Sequence, residues 1–268
     1  MKPKWIIEDF EPDNKFGELV DEVKRQGMTC EVVRYLPFQS GSYDIFDGED
    51  CVLFQGSINL ALQLQSQKTW IPGPWLTAKN YECSKYYAYL GKYLFNDKYS
   101  LVPRGDVLRQ KNYLFQQFEQ LFIRPSSGLK PFTAGLYSKL TLDSFWDLIK
   151  DFTDPESLIV ISTPKIVKAE WRFICSKGDV LTGCQYEKHG KLAFHSGYPE
   201  EAKILAQNIC KTYEPDPMFI VDICLGDDDV FYLMEINSFS CGGLYACELE
   251  PIVTRASELA LKEWESYQ

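Results

Sequence analysis

Runs of apolar residues and the spacings between them divide the chain before any chemistry is considered. "KWIIEDF", "CEVVRYLPF" and "CVLFQGS" have the length and composition of buried strands. Between the first two, "NKFGELVDEVKRQG" has apolar positions at helical spacing, with Asn14 placed as a cap and Gly27 as a stop. This β-α-β-β order predicts a small α/β lobe over residues 1–75. "WIPGPW" reads as a linker, since two prolines and a glycine oppose regular structure. Next come a helical "YECSKYYAYLGKYLF", a strand-loop-strand in "LFIRPSSGLKPFTAGLY" and a helix in "TLDSFWDLIKDF" with Thr141 as its cap. "LIVISTP" is a strand ending at a proline. "AEWRFICSKGDVLTGCQY" is a hairpin turning at Lys177-Gly178-Asp179, and "MFIVDICLGDDDVFYLMEIN" is a second hairpin. Helices over "PEEAKILAQNICKTY" and "EPIVTRASELALKEWESY" complete a second half of α+β character.

Composition narrows the chemistry. The chain has 268 residues, 45% hydrophobic and 15% aromatic, enough for a sizeable core. A net charge of -10 repels phosphate backbones, so nucleic acid is not expected as a partner. No apolar run reaches the ~20 residues of a membrane helix, and the acids in "MKPKWIIEDF" interrupt any secretory signal, so a cytoplasmic protein is expected. Nine scattered cysteines without a CxxC pair read as reduced thiols. With two histidines only, chemistry built on a histidine base is disfavoured.

The last hairpin permits a geometric deduction. A turn centred on Asp228-Asp229 sets Asp222 directly across from Glu235, and Asn237, two residues on, shares their face. Opposed carboxylates repel, so something positive is expected between them, and relieving the pair should stabilise the empty protein. Mg2+, which takes oxygen ligands and few of them from protein, fits. A register shifted by one would instead send Asp222 to the opposite face and leave Glu235 to a lysine.

"FIRPSSGLKPF" places Arg124 at the end of an apolar strand and Lys130 in a Gly/Ser loop. Such a loop can hold phosphates through backbone N–H groups and its cations, although it also fits a surface turn, and it lacks the GxxxxGK[ST] spacing. "KAEWRF" puts Glu170 and Arg172 on one face of a strand and Trp171 and Phe173 on the other, as a half-exposed sheet or a phosphate-contacting arginine would need.

Together "RPSSGLKPF" and "EINSFSCGGLY" resemble the ATP-grasp fold, in the clade where an arginine replaces the usual first phosphate-binding lysine; the likeness spans residues 75–250. It implies lobes at 76–158 and 159–268 that clamp ATP, behind the lobe at 1–75. It further implies a ligase that joins a carboxylate to an amine, on amino acids or peptides, through an acyl-phosphate. On this likeness Arg124 and Lys130 contact the ATP phosphates. "VISTPK", with Ile161, Thr163 and Lys165, supplies hinge contacts to adenine, and Glu170 also faces the nucleotide. Asp222, Glu235 and Asn237 hold one or two Mg2+ ions, and Arg172 and Lys130 steady the transferring phosphoryl group. "SFSCGGLY" receives the acyl substrate, with Ser240, Gly242, Gly243 and Tyr245 in contact. Phosphoryl transfer asks for charge neutralisation and positioning more than side-chain proton transfer, which suits a chain poor in histidine. Two other classes compete: an ATP-binding sensor or scaffold that no longer ligates, and an amidase with Cys241 as nucleophile.

Overall fold

A computed structural model describes residues 2–9, 15–35, 45–151 and 153–268. The expected cap at Asn14 and the end of "CEVVRYLPF" lie outside the described residues.

Among the described residues, three sheets carry the fold. The first is built from β1 (Lys4–Glu8), α1 (Phe16–Arg25), β2 (Thr29–Val33), β3 (Cys51–Gln55), α2 (Ile58–Gln67) and β4 (Ile71–Gly73). Its strands are parallel in the order β2-β1-β3-β4, with α1 in the β1–β2 crossover and α2 in the β3–β4 crossover. The "WIPGPW" segment is therefore a strand where a linker was expected. β4 is an edge strand, the position in a sheet that tolerates a proline such as Pro72. α2, capped by the Ser57 hydroxyl on the Leu60 N–H, was not foreseen.

After α3 (Cys83–Leu90) comes the second sheet: β5 (Tyr99–Pro103), α4 (Arg104–Leu114), β6 (Gln120–Pro125), β7 (Gly135–Ser138), α5 (Thr141–Ile149) and β8 (Leu158–Ser162), ordered β5-β8-β6-β7. Thr141 is the first residue of α5 and not its cap; its hydroxyl accepts the Ser138 N–H at 2.9 Å.

The third sheet is antiparallel. It comprises β9 (Val167–Ser176), β10 (Asp179–Lys188), β11 (Lys191–Ser196), α6 (Glu200–Thr212), β12 (Phe219–Gly226) and β13 (Phe231–Ser238), ordered β11-β10-β9-β12-β13. Its first turn falls at Lys177-Gly178, as expected, with both residues at positive φ. A second such turn at His189-Gly190 adds β11, which the sequence did not reveal. α7 (Leu249–Glu265) closes the chain.

α7 lies against the first sheet, and Ile252, Val253 and Ala256 share one core with Trp5 and Leu53. Ile174 and Ile220 of the third sheet belong to that same core, so the first and third sheets are packed together. The second sheet buries Ile123, Ile161 and Trp146 in a core of its own. Among the described residues no helix is long and apolar enough to cross a membrane.

Asp222 does pair with Glu235, although two features hidden in the sequence had to cancel. The turn is one residue longer than expected: Gly226 bonds to Val230 around Asp227–Asp229, with Asp229 at φ 61. A bulge between Asp222 and Ile223 then restores the register toward the sheet's interior.

Candidate active site

Alternation along β6 sends Leu121 and Ile123 into the core of the second sheet. Arg124 therefore leaves by the other face. Its Nη2 donates to Glu235 Oε2 at 2.8 Å and its Nη1 to the Met234 carbonyl at 3.4 Å, while its buried Nε has no partner among the described residues. The following loop turns on Ser127 and brings Lys130 to φ 47, where its Nζ donates to the other oxygen of Glu235 at 2.9 Å. Gly128 is required there by close approach: a Cβ would lie 2.4 Å from Tyr81 Cβ.

Arg172 is central in the third sheet, paired with Cys184 of β10 on one side and Asp222 of β12 on the other. Its Nε and Nη2 bind the two oxygens of Asp222 at 2.9 and 2.8 Å, and its Nη1 donates to the Gly243 carbonyl at 2.8 Å. Tyr245, at φ 47, places its ring 4.5 Å from the guanidinium carbon. That ring is itself stacked against both Tyr186 and Phe194. Asn237 joins the two carboxylates, its Nδ2 donating to Asp222 and to Glu235 at 2.9 Å each.

The positive charge expected between the carboxylates is thus supplied by the protein itself. Burial would raise the Glu235 carboxyl, but Lys130 and Arg124 hold it well below the usual range. Burial also pushes the Asp222 carboxyl up, against the pull of Arg172. The expectation that a repulsive pair strains the empty protein is corrected, because each carboxylate has its own counter-ion. Among the described residues no group of three or more His, Cys, Asp or Glu side chains is arranged for a metal. The donor chemistry nonetheless suits Mg2+: Glu235 and the Asn237 amide oxygen are hard oxygen ligands, and Lys130, the cation on Glu235, is 42% exposed and can leave it. Asp222 is less available, since Arg172 and Asn237 occupy both its oxygens.

A cavity of about 160 Å³ opens beside these groups. Lys130, Arg172, Asn237, Gly242, Gly243 and Tyr245 line it, so all six of these lining residues are ones the sequence picked out for phosphate, metal or substrate. Ile58 and Leu76 also line it, and nothing in the sequence marked them. A Cβ at Gly242 would fall 2.2 Å from Ile220 Cδ1 and 3.2 Å from the Ser238 carbonyl oxygen, so Ile220 would have to shift to admit one. Ser240 is not at this cavity. It is fully buried, its Oγ accepts the Trp75 N–H at 2.9 Å, and its carbonyl accepts the Gly56 N–H, so it holds the loop to the ends of β3 and β4 in the first sheet and is not placed to bind a substrate.

The residues expected at the hinge lie apart from this cluster. Ile161 is inside the β5-β8-β6 ladder with its side chain in the core, so Thr163, beyond the strand end, is the first with an unladdered backbone. A cavity of about 360 Å³ at that end is lined by Ile161, Ser162, Thr163, Tyr99 and Phe118. Lys165 turns toward the Phe95 carbonyl and Asp97, 2.5 Å from the latter's Oδ1. Glu170 accepts the hydroxyl of Tyr186, and burial, aided by Glu187, Asp222 and Glu235, pushes its carboxyl up to about 7. Tyr186 was missed in the sequence; bulges in the β9–β10 ladder hide its proximity to Arg172 from any count outward from the turn.

A family model described as the ATP-grasp domain, R2K clade family 2, matches residues 106–254. The fold matches that of D-cycloserine synthetase DcsG, with a TM-score of 0.62 at 13% identity over 96% of this chain and 99% of that one. It also matches D-alanine–D-alanine ligase from Bacillus anthracis, with a TM-score of 0.56 at 12% identity over 99% and 100% of the two chains. A third match is a RiPP-associated ATP-grasp ligase from Chryseobacterium gregarium, solved with ADP and a leader and core peptide, at a TM-score of 0.54 and 11% identity over 97% of both chains. No curated protein sequence matches the chain.

Proposed function

From its place in the R2K clade of the ATP-grasp family, to which the chain belongs, we propose that it is an ATP-dependent ligase joining a carboxylate to an amine and releasing ADP and phosphate. The observation that carries this reading is the convergence of Lys130, Arg172, Asn237 and the Gly242-Gly243 loop on one cavity, with Glu235 held beside it by two cations.

Arg124 and Lys130 bind the phosphates, and Lys130 exchanges its contact with Glu235 for one with the nucleotide. The base sits at the end of β8, near Thr163, with Ile161 behind it and Lys165 and Glu170 at the margins of the nucleotide site. Glu235 and Asn237 hold Mg2+, with Asp222 behind them; when bound, the ion neutralises charge on the phosphates. Arg172 faces the cavity and offers a fixed positive charge to an acyl-phosphate, while Gly242, Gly243 and Tyr245 form the wall against the acyl substrate. The cavity has room for about five waters, the scale of a small acid or one amino-acid unit of a peptide. Amino acids and peptides are the substrate class this favours, in a cytoplasmic setting that keeps the nine thiols reduced.

The test is ADP release screened against pairs of small acids and amines, with the product identified by mass. Substrate-dependent ADP and a condensed product are expected. Binding of a non-hydrolysable ATP analogue without any such turnover would instead establish a nucleotide-binding sensor.

A further inference from the structure

Two thiols meet directly behind Arg172. Cys184 is the β10 residue paired with Arg172, and the Cys247 S–H donates to its sulfur at 3.3 Å. The Cys247 sulfur also lies 4.0 Å from the Arg172 carbonyl oxygen, and both cysteines are fully buried. Cys247 ends the segment that begins with the cavity wall: Gly243 gives its carbonyl to Arg172, Tyr245 covers the guanidinium, and Cys247 follows two residues later. No helix or strand spans residues 242–248.

We infer that Cys184 and Cys247 form a dithiol modification site, which a peroxide converts to a disulfide that displaces the substrate-loop wall from Arg172. A disulfide needs its sulfurs at about 2.05 Å, so closing the 3.3 Å gap draws residues 244–248 onto β10. Gly243 and Tyr245, which steady Arg172 from the other side, move with that segment. Cys184 is the residue oxidised first. The hydrogen bond from Cys247 holds its thiol below the usual range, which favours the nucleophilic thiolate. The Cys184 sulfur attacks one peroxide oxygen; an S–O bond forms, the O–O bond breaks, and the departing oxygen leaves as water. The Cys247 sulfur then attacks the sulfenic sulfur; the S–S bond forms, the S–O bond breaks, and a second water leaves. One peroxide is reduced for each pair of thiols oxidised.

The same molecule holds a comparison. Cys175 and Cys210 also touch, but they belong to β9 and α6, both regular elements within a packed core. Local opening is easier in an irregular segment than in a strand and helix packed together, so Cys184–Cys247 should form first.

The experiment treats the full chain with hydrogen peroxide, alkylates it under denaturing conditions and maps disulfides by mass. The expected result is a peptide joining Cys184 to Cys247, a thiol count falling from nine to seven, and reversal by dithiothreitol. Substrate-dependent ADP release should fall at least fivefold and return on reduction. Cys247→Ser and Cys184→Ser, close in size, should each keep their turnover after peroxide. Nine thiols that survive treatment, or a Cys175–Cys210 link in place of Cys184–Cys247, would overturn the site. A mapped Cys184–Cys247 bond with unchanged ADP release would overturn its coupling to Arg172.

Discussion

The two carboxylates of the β12–β13 hairpin face each other, yet their surroundings differ. Asp222 has no exposed surface, and its counter-ion Arg172 comes from the neighbouring strand of the same sheet, gripped by two hydrogen bonds and roofed by Tyr245. Glu235 is reached from another sheet altogether, by Arg124 and by a lysine on a loop that is half open to solvent. Partners in one ladder are fixed relative to each other by the ladder. Partners from separate sheets separate whenever those sheets move apart. The Asp222 end is therefore a fixed frame that holds Arg172, and on the proposed function the Glu235 end is where charges would be exchanged for those of a nucleotide and a metal ion.

The largest expected effect tests the fixed end. Arg172→Ala leaves the Asp222 carboxylate buried without its cation, which should cost about 3–5 kcal/mol of unfolding free energy in a urea titration. Asp222→Asn should also destabilise, since Arg172 then loses its charge partner. Lys130→Ala, at the exchangeable end, should change stability by less than about 1 kcal/mol. Equal costs for Arg172→Ala and Lys130→Ala would erase the distinction between the two ends.

Next in size is the loss of turnover at the exchangeable end. Glu235→Gln keeps a hydrogen-bond acceptor for Arg124 but removes the charge offered to Mg2+, so substrate-dependent ADP release should fall by about a hundredfold or more in a folded protein. A mutant with wild-type turnover would remove Glu235 from the metal site. Smaller again is nucleotide affinity. Lys130→Ala should weaken a non-hydrolysable ATP analogue by about tenfold or more, as loss of a charge-assisted hydrogen bond of ~1.5–3 kcal/mol implies. Calorimetric titration reads this directly, and unchanged affinity would leave the loop as an ordinary surface turn.

The contrast between the ends also explains what the sequence could disclose. The facing of Asp222 and Glu235 was legible because a hairpin turn fixes its own register, even though the longer turn and the bulge had to offset each other. Arg172 and Asp222 were each picked out, but their pairing was not. β9 and β12 are neighbours in space, yet β10, β11 and α6 lie between them in the chain, and no local pattern encodes that adjacency. The counter-ions of Glu235 were invisible for the same reason: Arg124 and Lys130 are more than a hundred residues away in sequence. β11 escaped because "KLAFHS" is a mostly exposed edge strand without a buried face to mark it. β4 escaped because proline is a poor strand signal except at an edge, and edges are not visible until the sheet is assembled.

The smallest effect concerns Glu170, which lies on β9 two residues before Arg172 and senses both ends of the pair. Burial comes first among the causes that lift its carboxyl to about 7, and the negative charges of Glu187, Asp222 and Glu235 add to it. Tyr186 partly opposes them through its hydrogen bond. In the unfolded chain this glutamate titrates near the ordinary value of about 4.3. Between these two values the folded protein holds a proton that the unfolded chain has lost, so stability contributed by Glu170 is fully present below about pH 4.3 and is lost as the pH rises through about 7. Partial exposure reduces the full linkage value, leaving about 1–2 kcal/mol. Glu170→Gln removes the titrating group, so the difference in unfolding free energy between mutant and wild type should grow in the mutant's favour from pH 5 to pH 8 and stay flat above it. Asp222→Asn supplies the sharper comparison. Each counter-ion offsets most of its carboxylate's charge, so Asp222→Asn and Glu235→Gln should each lower the Glu170 midpoint by only a small amount. A large downward move of the Glu170 midpoint in only one of the two mutants would show which carboxylate still carries uncompensated charge, and a large move with Asp222→Asn would mean that the fixed end is not the neutral frame described above.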